Sequence, residues 1–186
     1  MVRTLLDATA QVLTEVGIEK LSTNKVARRA NVAVGSIYQY FSNKDALVDA
    51  LVEDRMLRLG DLVRTRMGAL ESQTFPAAAE AMLRAGIDFL ADEPGLAPVL
   101  LSHAFFASDK AVTSRLRIEA QTLARAFLER LDGPVLPKLD IAAFVSTNVA
   151  GLFGILLADP GIDDERREEI IMEVVRMLWS WMSTTP

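Results

Sequence analysis

Residues 23–44 read TNKVARRANVAVGSIYQYFSNK, and the fold turns on how this stretch is read. Ser22 or Thr23 suits the cap of a short helix running to about Ala30. Asn31 to Val34 then makes a tight turn, since Asn is the next best residue to Gly where φ must be positive. A further short helix runs from Val34 to about Tyr40. Small Ala27 stands where the two helices must touch, and Ile37 packs back from the second. This small–turn–aliphatic spacing is the signature of a helix-turn-helix, whose second helix enters the DNA major groove. The remaining positions agree with it. Val34, Gly35, Ser36, Tyr38, Gln39 and Tyr40 give a helix with a small start and polar or aromatic tips, which is poor core material. Basic Lys25, Arg28, Arg29 and Lys44 surround it.

Working outward, Leu5, Leu6, Thr9, Val12, Leu13 and Val16 fall on one face of a first helix from about Arg3 to Val16, with Gly17 as its C-terminal cap. Ser42 is expected to cap a long fourth helix to about Leu70, buried through Ala46, Leu47, Ala50, Leu51, Met56 and Leu59. A fifth helix starts near Pro76. Pro94, Gly95 and Pro98 interrupt the chain before a short apolar helix through Leu101 to about Phe105. Helices then follow at about Ser108–Leu131, Asp140–Ala158 and from Asp163 to about Met182, the last with an acidic start that suits the helix dipole. No run of period two appears. The expectation is an all-α chain of about nine helices: a three-helix unit over residues 1–45 and a helical domain over 46–186.

Composition narrows the function. The 186 residues contain no Cys and one His, His103, which excludes disulfides, thiol catalysis, iron–sulfur clusters and a His-pair metal site. A net charge of −5 looks wrong for a nucleic-acid binder until it is divided along the chain. Residues 1–44 carry six basic and three acidic side chains, while the remainder carries 14 basic and 22 acidic. The two halves therefore differ in sign. No signal-peptide pattern is present, so a cytoplasmic location is expected. No Gly-rich phosphate loop, nucleophile elbow, HExxH or paired catalytic carboxylate occurs, so no enzyme, metal or cofactor is expected.

Ile141 to Ala158 is 18 residues without a charge, the lower limit for a membrane span. Its flanks are acidic (Asp140, Asp159) and no Lys/Arg-rich loop anchors it, so we read it as a soluble helix hidden on several sides. The last helix has two apolar stripes: Ile170, Val174, Met177, Leu178 and Trp181, and Ile171, Val175, Trp179 and Met182. The expectation is that the last two helices pair with their copies in a symmetric dimer through Gly151, Gly154, Ile170, Val174, Leu178 and Trp181.

Residues from about 4 to 55, with the run LLDATAQVLTEVGIEKLSTNKVARRANVAVGSIYQYFSNKDALVDALV, resemble the N-terminal domain of the TetR family of bacterial transcriptional regulators. The shared features are the apolar first helix ended by Gly17 and the pattern T…VA..A.V..G.IY.YF..K..L, which together cover under a third of the chain. Asn31 and Ala33 depart from the Gly and Ser usual in the family, and the basic N-terminal arm of many members is missing or shortened. The resemblance implies phosphate contacts at Thr23, Tyr40 and Lys44. It also implies base-edge contacts at Asn24, Val34, Ser36, Tyr38 and Gln39, with Tyr38 able to serve either. Lys44 at a helix start would add its charge to the helix dipole. Gln39 would suit adenine and Val34 a thymine methyl.

The resemblance further implies a dimeric regulator, most often a repressor, bound to a (pseudo)palindromic operator and released by a small molecule held in the C-terminal domain. A pocket of that kind needs apolar walls with a few polar groups. Met82, Phe89, His103, Phe106, Leu123, Phe127, Phe144 and Asn148 are the candidates, with His103 and Asn148 orienting the ligand. The competing reading is a helical protein-interaction module without DNA binding, which leaves the polar tips of the third helix unexplained.

Overall fold

The computed structural model describes residues 1–70, 73–100, 111–130 and 138–184. Among the described residues there are eight helices, a short helical run at 96–100 and no strand. The fold is all-α. The expected helix over Leu101–Phe105 lies outside the described residues, as do His103 and Phe106.

Helix α1 (Val2–Lys20) buries Leu5, Leu6, Val12 and Leu13, and its buried Thr9 hydroxyl donates to the Leu5 carbonyl at 2.6 Å. Gly17 interrupts it with φ 73° and ψ 168°, a conformation that a side chain would strain. The chain turns through buried Leu21 into α2 (Thr23–Arg29). Ser22 is the cap, accepting from the Lys25 amide, so Thr23 is the first helical residue. Asn31 takes φ 55° and reverses the chain into α3 (Val34–Tyr38). Asn43, not Ser42, caps α4 (Lys44–Ala69), its side chain accepting from the Ala46 amide at 2.8 Å. Pro76 lies in the first turn of α5 (Phe75–Ala91), where a missing N–H costs nothing. Helices α6 (Ala111–Leu128), α7 (Leu139–Leu157) and α8 (Asp164–Thr184) complete the bundle.

Two apolar cores organise these elements. The first joins Leu5 and Leu13 of α1, Val26 and Ala27 of α2, Ile37 of α3 and Leu47 and Leu51 of α4. Leu90, Leu96, Val99 and Leu100, together with Ala158, belong to the same core. The N-terminal helices are thus completed by residues from far along the chain. At the closest point Gly95 presses on α1: a Cβ there would lie 2.5 Å from the Thr14 Cα. The second core gathers Phe75, Leu83 and Ile87 of α5, Leu128 of α6, Ala142, Ala143 and Leu157 of α7, and Ile171, Val175 and Met182 of α8. The Phe75 and Trp179 rings stack there with centroids 5.8 Å apart.

The turn between α7 and α8 hangs on one side chain. The Arg167 guanidinium donates to the carbonyls of Leu157 (2.9 Å) and Ile162 (2.8 Å), satisfying acceptors that the end of α7 and the turn leave open. Asp163 caps α8 by accepting from the Arg166 amide at 2.9 Å. Arg167→Ala is therefore expected to cost about 1–2 kcal/mol, two part-buried charged hydrogen bonds, read as a lower urea midpoint with an unchanged slope.

Two expectations need correcting. Helix α7 is long and apolar enough to cross a membrane by length and composition, yet it is not hidden on several sides. It buries Ala142, Ala143, Gly154 and Leu157, while Ile141 and Phe144 are 50% and 52% exposed and Gly151 is open. In α8 both stripes turn inward except at Met177, which is exposed: Val174 and Leu178 are 3% and 4% exposed, and Ile170 and Trp181 pack against the second core. A partner chain cannot reach Val174 or Leu178 without repacking this core.

Candidate nucleic-acid interface

The α2–turn–α3 unit stands on a narrow base. Ile37 and Val26 are fully buried and Ala27 is nearly so, which fixes α3 against α2 by three side chains. Every other residue of α3 is left outside or at the rim. Val34, Tyr38 and Tyr40 are 38%, 54% and 49% exposed, unusually open for such apolar bodies, and Gly35 and Gln39 are exposed between them. Ser36 is half-buried on the same helix. A five-residue helix with one buried residue exists to present the others.

The Tyr38 and Thr23 hydroxyls lie 3.2 Å apart, so the base-edge candidate on α3 is held by the phosphate candidate at the start of α2. Together they offer an exposed pair of hydroxyls at the mouth of the unit. Asn24 is exposed one residue on. Lys44 is the first residue of α4 and half-buried, at the helix end that carries the positive pole of the dipole. Lys25 is partly spent: its ammonium donates to the Lys20 carbonyl at 2.8 Å, closing the end of α1. Arg29 reaches Glu15 at 2.6 Å and Gln11 at 3.3 Å, tying α2 to α1, whereas Arg28 is exposed.

The effector candidates are not all brought together. Met82, Leu123 and Phe127 are half-buried on α5 and α6, and Phe89 leans on the first core. Phe144 points outward, and the Asn148 amide donates back to the Phe144 carbonyl at 2.7 Å, within its own helix. The residues that sequence reasoning passed over are Ser146 and Thr147. Their hydroxyls are buried without a hydrogen-bond partner, which is costly in an apolar bundle. The only sign of them in the sequence is a polar triplet inside an uncharged helix.

The model of the family described as bacterial regulatory proteins, tetR family, matches residues 5–51, the span that builds the first core and presents α3. A TetR-family transcriptional regulator from Streptomyces coelicolor has the same fold over 97% of this chain and 98% of its own, at a TM-score of 0.71 and 25% identity. Residues 5–51 belong to the TetR family. Among the relatives of this chain, the HTH-type transcriptional regulator BetI of Escherichia coli is 33% identical over 131 residues, 69% of the chain and 65% of BetI. Other Escherichia coli BetI sequences match over 44% of their length at 34% identity. The chain thus spans less than two thirds of the curated relatives it matches. FadR from Bacillus subtilis, solved in complex with stearoyl-CoA, shares the fold at a TM-score of 0.73 and 17% identity, covering 97% of this chain and 98% of FadR.

Proposed function

We propose that this chain is a dimeric, cytoplasmic DNA-binding regulator of the TetR family, a repressor that leaves a two-fold operator when a small, mostly apolar effector enters its C-terminal helices. The observation that carries the reading is α3 and the turn after it: one buried anchor, Ile37, beneath exposed Val34, Tyr38, Gln39 and Tyr40, with Lys44 at the adjoining helix start. That is a surface made to be read against, and its small first turn lets it sink into a major groove. The exposed Ile141, Phe144 and Gly151, spaced along α7 at helical intervals, supply the face for the second copy. The orphan hydroxyls of Ser146 and Thr147 among apolar neighbours favour an effector with an apolar body and a polar group. Of the stearoyl-CoA bound to FadR, the stearoyl chain is an apolar body of this kind.

Genome-wide recovery of bound DNA tests the first half of the reading. Two-fold related half-sites support it, and sites lacking them count against the dimer. Binding insensitive to salt would instead favour a protein-interaction module. With the operator in hand, two substitutions separate holding from reading. Lys44→Ala should weaken all sites alike and flatten the slope of log K against log salt by about 1.8, at about 0.9 per phosphate and two per dimer. Gln39→Ala should keep the slope and lose roughly 1–3 kcal/mol of discrimination at one position in each half-site. A Gln39→Ala protein with untouched sequence preference would place the reading surface elsewhere.

A further inference from the structure

Arg55 lies midway along α4 and is only 3% exposed, a position that charged residues occupy rarely and only when paired. Its guanidinium gathers carboxylates from three separate places. Nε and Nη2 grip Glu93, just beyond α5, at 2.7 to 3.1 Å, as a two-pronged fork. Nη2 also reaches Asp7 of α1 at 3.0 Å, and Nη1 donates to neighbouring Asp54. Burial works against the charge, but Glu93, Asp54 and Asp7 outweigh it and hold Arg55 above the usual range for a guanidinium. Without Arg55 three carboxylates would face one another.

The place of this cluster matters more than its strength. Two residues after Glu93, Gly95 meets the Thr14 backbone, and Leu96, Val99 and Leu100 enter the core that seats Ile37 of α3. Just before Glu93, α5 anchors Leu83 and Ile87 in the second core. The stretch from Ile87 to Leu100 therefore belongs to the C-terminal bundle at one end and, from Leu90 on, to the core of the DNA-reading unit. It cannot shift without either pulling Glu93 off Arg55 or dragging α1 and α4 along with it.

We propose that Arg55, Asp7 and Glu93 form the joint that sets the position of α3 relative to the C-terminal helices, with Arg55 and Glu93 as positioning residues for DNA binding. The proposal rests on the DNA-binding reading above and adds to it the residues through which the two halves are coupled. Coupling of this kind is reciprocal: DNA held at α3 must steady residues 90–100 as much as those residues steady α3.

Hydrogen–deuterium exchange of the full chain tests it, with and without the operator duplex recovered above. In DNA-free Glu93→Gln, which keeps shape but loses charge, amides of α1 and the first half of α4 should exchange roughly tenfold faster while those of α7 and α8 stay native. Operator DNA should slow exchange at residues 90–100 in the native chain and fail to do so in Glu93→Gln. The variant should also bind operator about tenfold more weakly with an unchanged salt slope. Arg55→Lys, which keeps charge but loses the fork, should fall between the two, and Glu93→Asp serves if Glu93→Gln does not fold. Uniform acceleration across the chain, or no DNA-dependent slowing at 90–100 in the native chain, overturns the joint. Should no DNA bind the native chain, the DNA-binding reading falls by itself. The acceleration confined to α1 and α4 in DNA-free Glu93→Gln then still supports a mechanical joint, and its absence refutes one.

Discussion

Gly95→Ala is expected to destabilise the chain by about 3 kcal/mol and to lower its melting midpoint by roughly 6–12 °C. The reason is contact, not conformation. A Cβ at Gly95 would meet the Thr14 Cα and N at 2.5 and 2.6 Å and the Leu13 carbonyl carbon at 2.9 Å. All three are backbone atoms of a helix and cannot swing aside as a long side chain would. The strand of chain that carries Gly95 must instead lift from α1, thinning the core around Leu96 and Leu100. Thermal unfolding followed by circular dichroism reads the loss directly. A midpoint within a degree or two of the native one would mean that this approach is looser than it stands.

The second large effect concerns assembly. Gly151→Arg should weaken self-association by about 4 kcal/mol, a roughly thousandfold rise in the dissociation constant, because it sets a charge in the middle of an apolar contact. Gly151 is exposed in the single chain, and a Cβ there meets nothing within 4 Å, so the monomer has no cause to unfold. Helix α7 even gains from losing a mid-helix glycine. Trp181→Asp lacks that clarity, since Trp181 packs against the second core and its loss would damage the fold as well. Sedimentation velocity on Gly151→Arg, with circular dichroism as the check on folding, should show a folded monomer. An intact dimer would move the interface off this face of α7.

Local signals in the sequence were read well because their physics is local. Gly17 and Asn31 carry the positive φ values that their residue types suit, and the helix-turn-helix forms at the residues whose small and aliphatic spacing marks it. Capping was left open between Ser22 and Thr23 at α2, where Ser22 serves, and was misplaced by one residue at α4, since each site offers two competent caps side by side. The choice falls to whichever residue still has extended backbone, as Asn43 does at φ −161°. What could not be read depends on residues distant along the chain. Arg55 looks like one more surface cation of an amphipathic helix until Glu93 and Asp7, 38 and 48 residues away, close around it. Periodicity likewise showed that α8 has two apolar stripes but not what would cover them. The chain's own core took Val174 and Leu178, leaving α7 with the open face.

The composition of the first core bears on how the proposed regulator could be re-engineered. A chimaera cut after residue 45 would carry Leu5, Leu13 and Ile37 away from Leu47, Leu51, Leu96 and Leu100, and would graft half a core onto a foreign body. The full set of mates for the N-terminal helices is scattered over three stretches of chain, so no contiguous cassette contains it. The outer face of α3 and the turn after it has no such entanglement: Val34, Tyr38, Gln39 and Tyr40 are exposed around a single buried anchor. On the proposed DNA-binding reading, retargeting the chain to a new sequence is thus a matter of repainting that face, not of transplanting the segment beneath it.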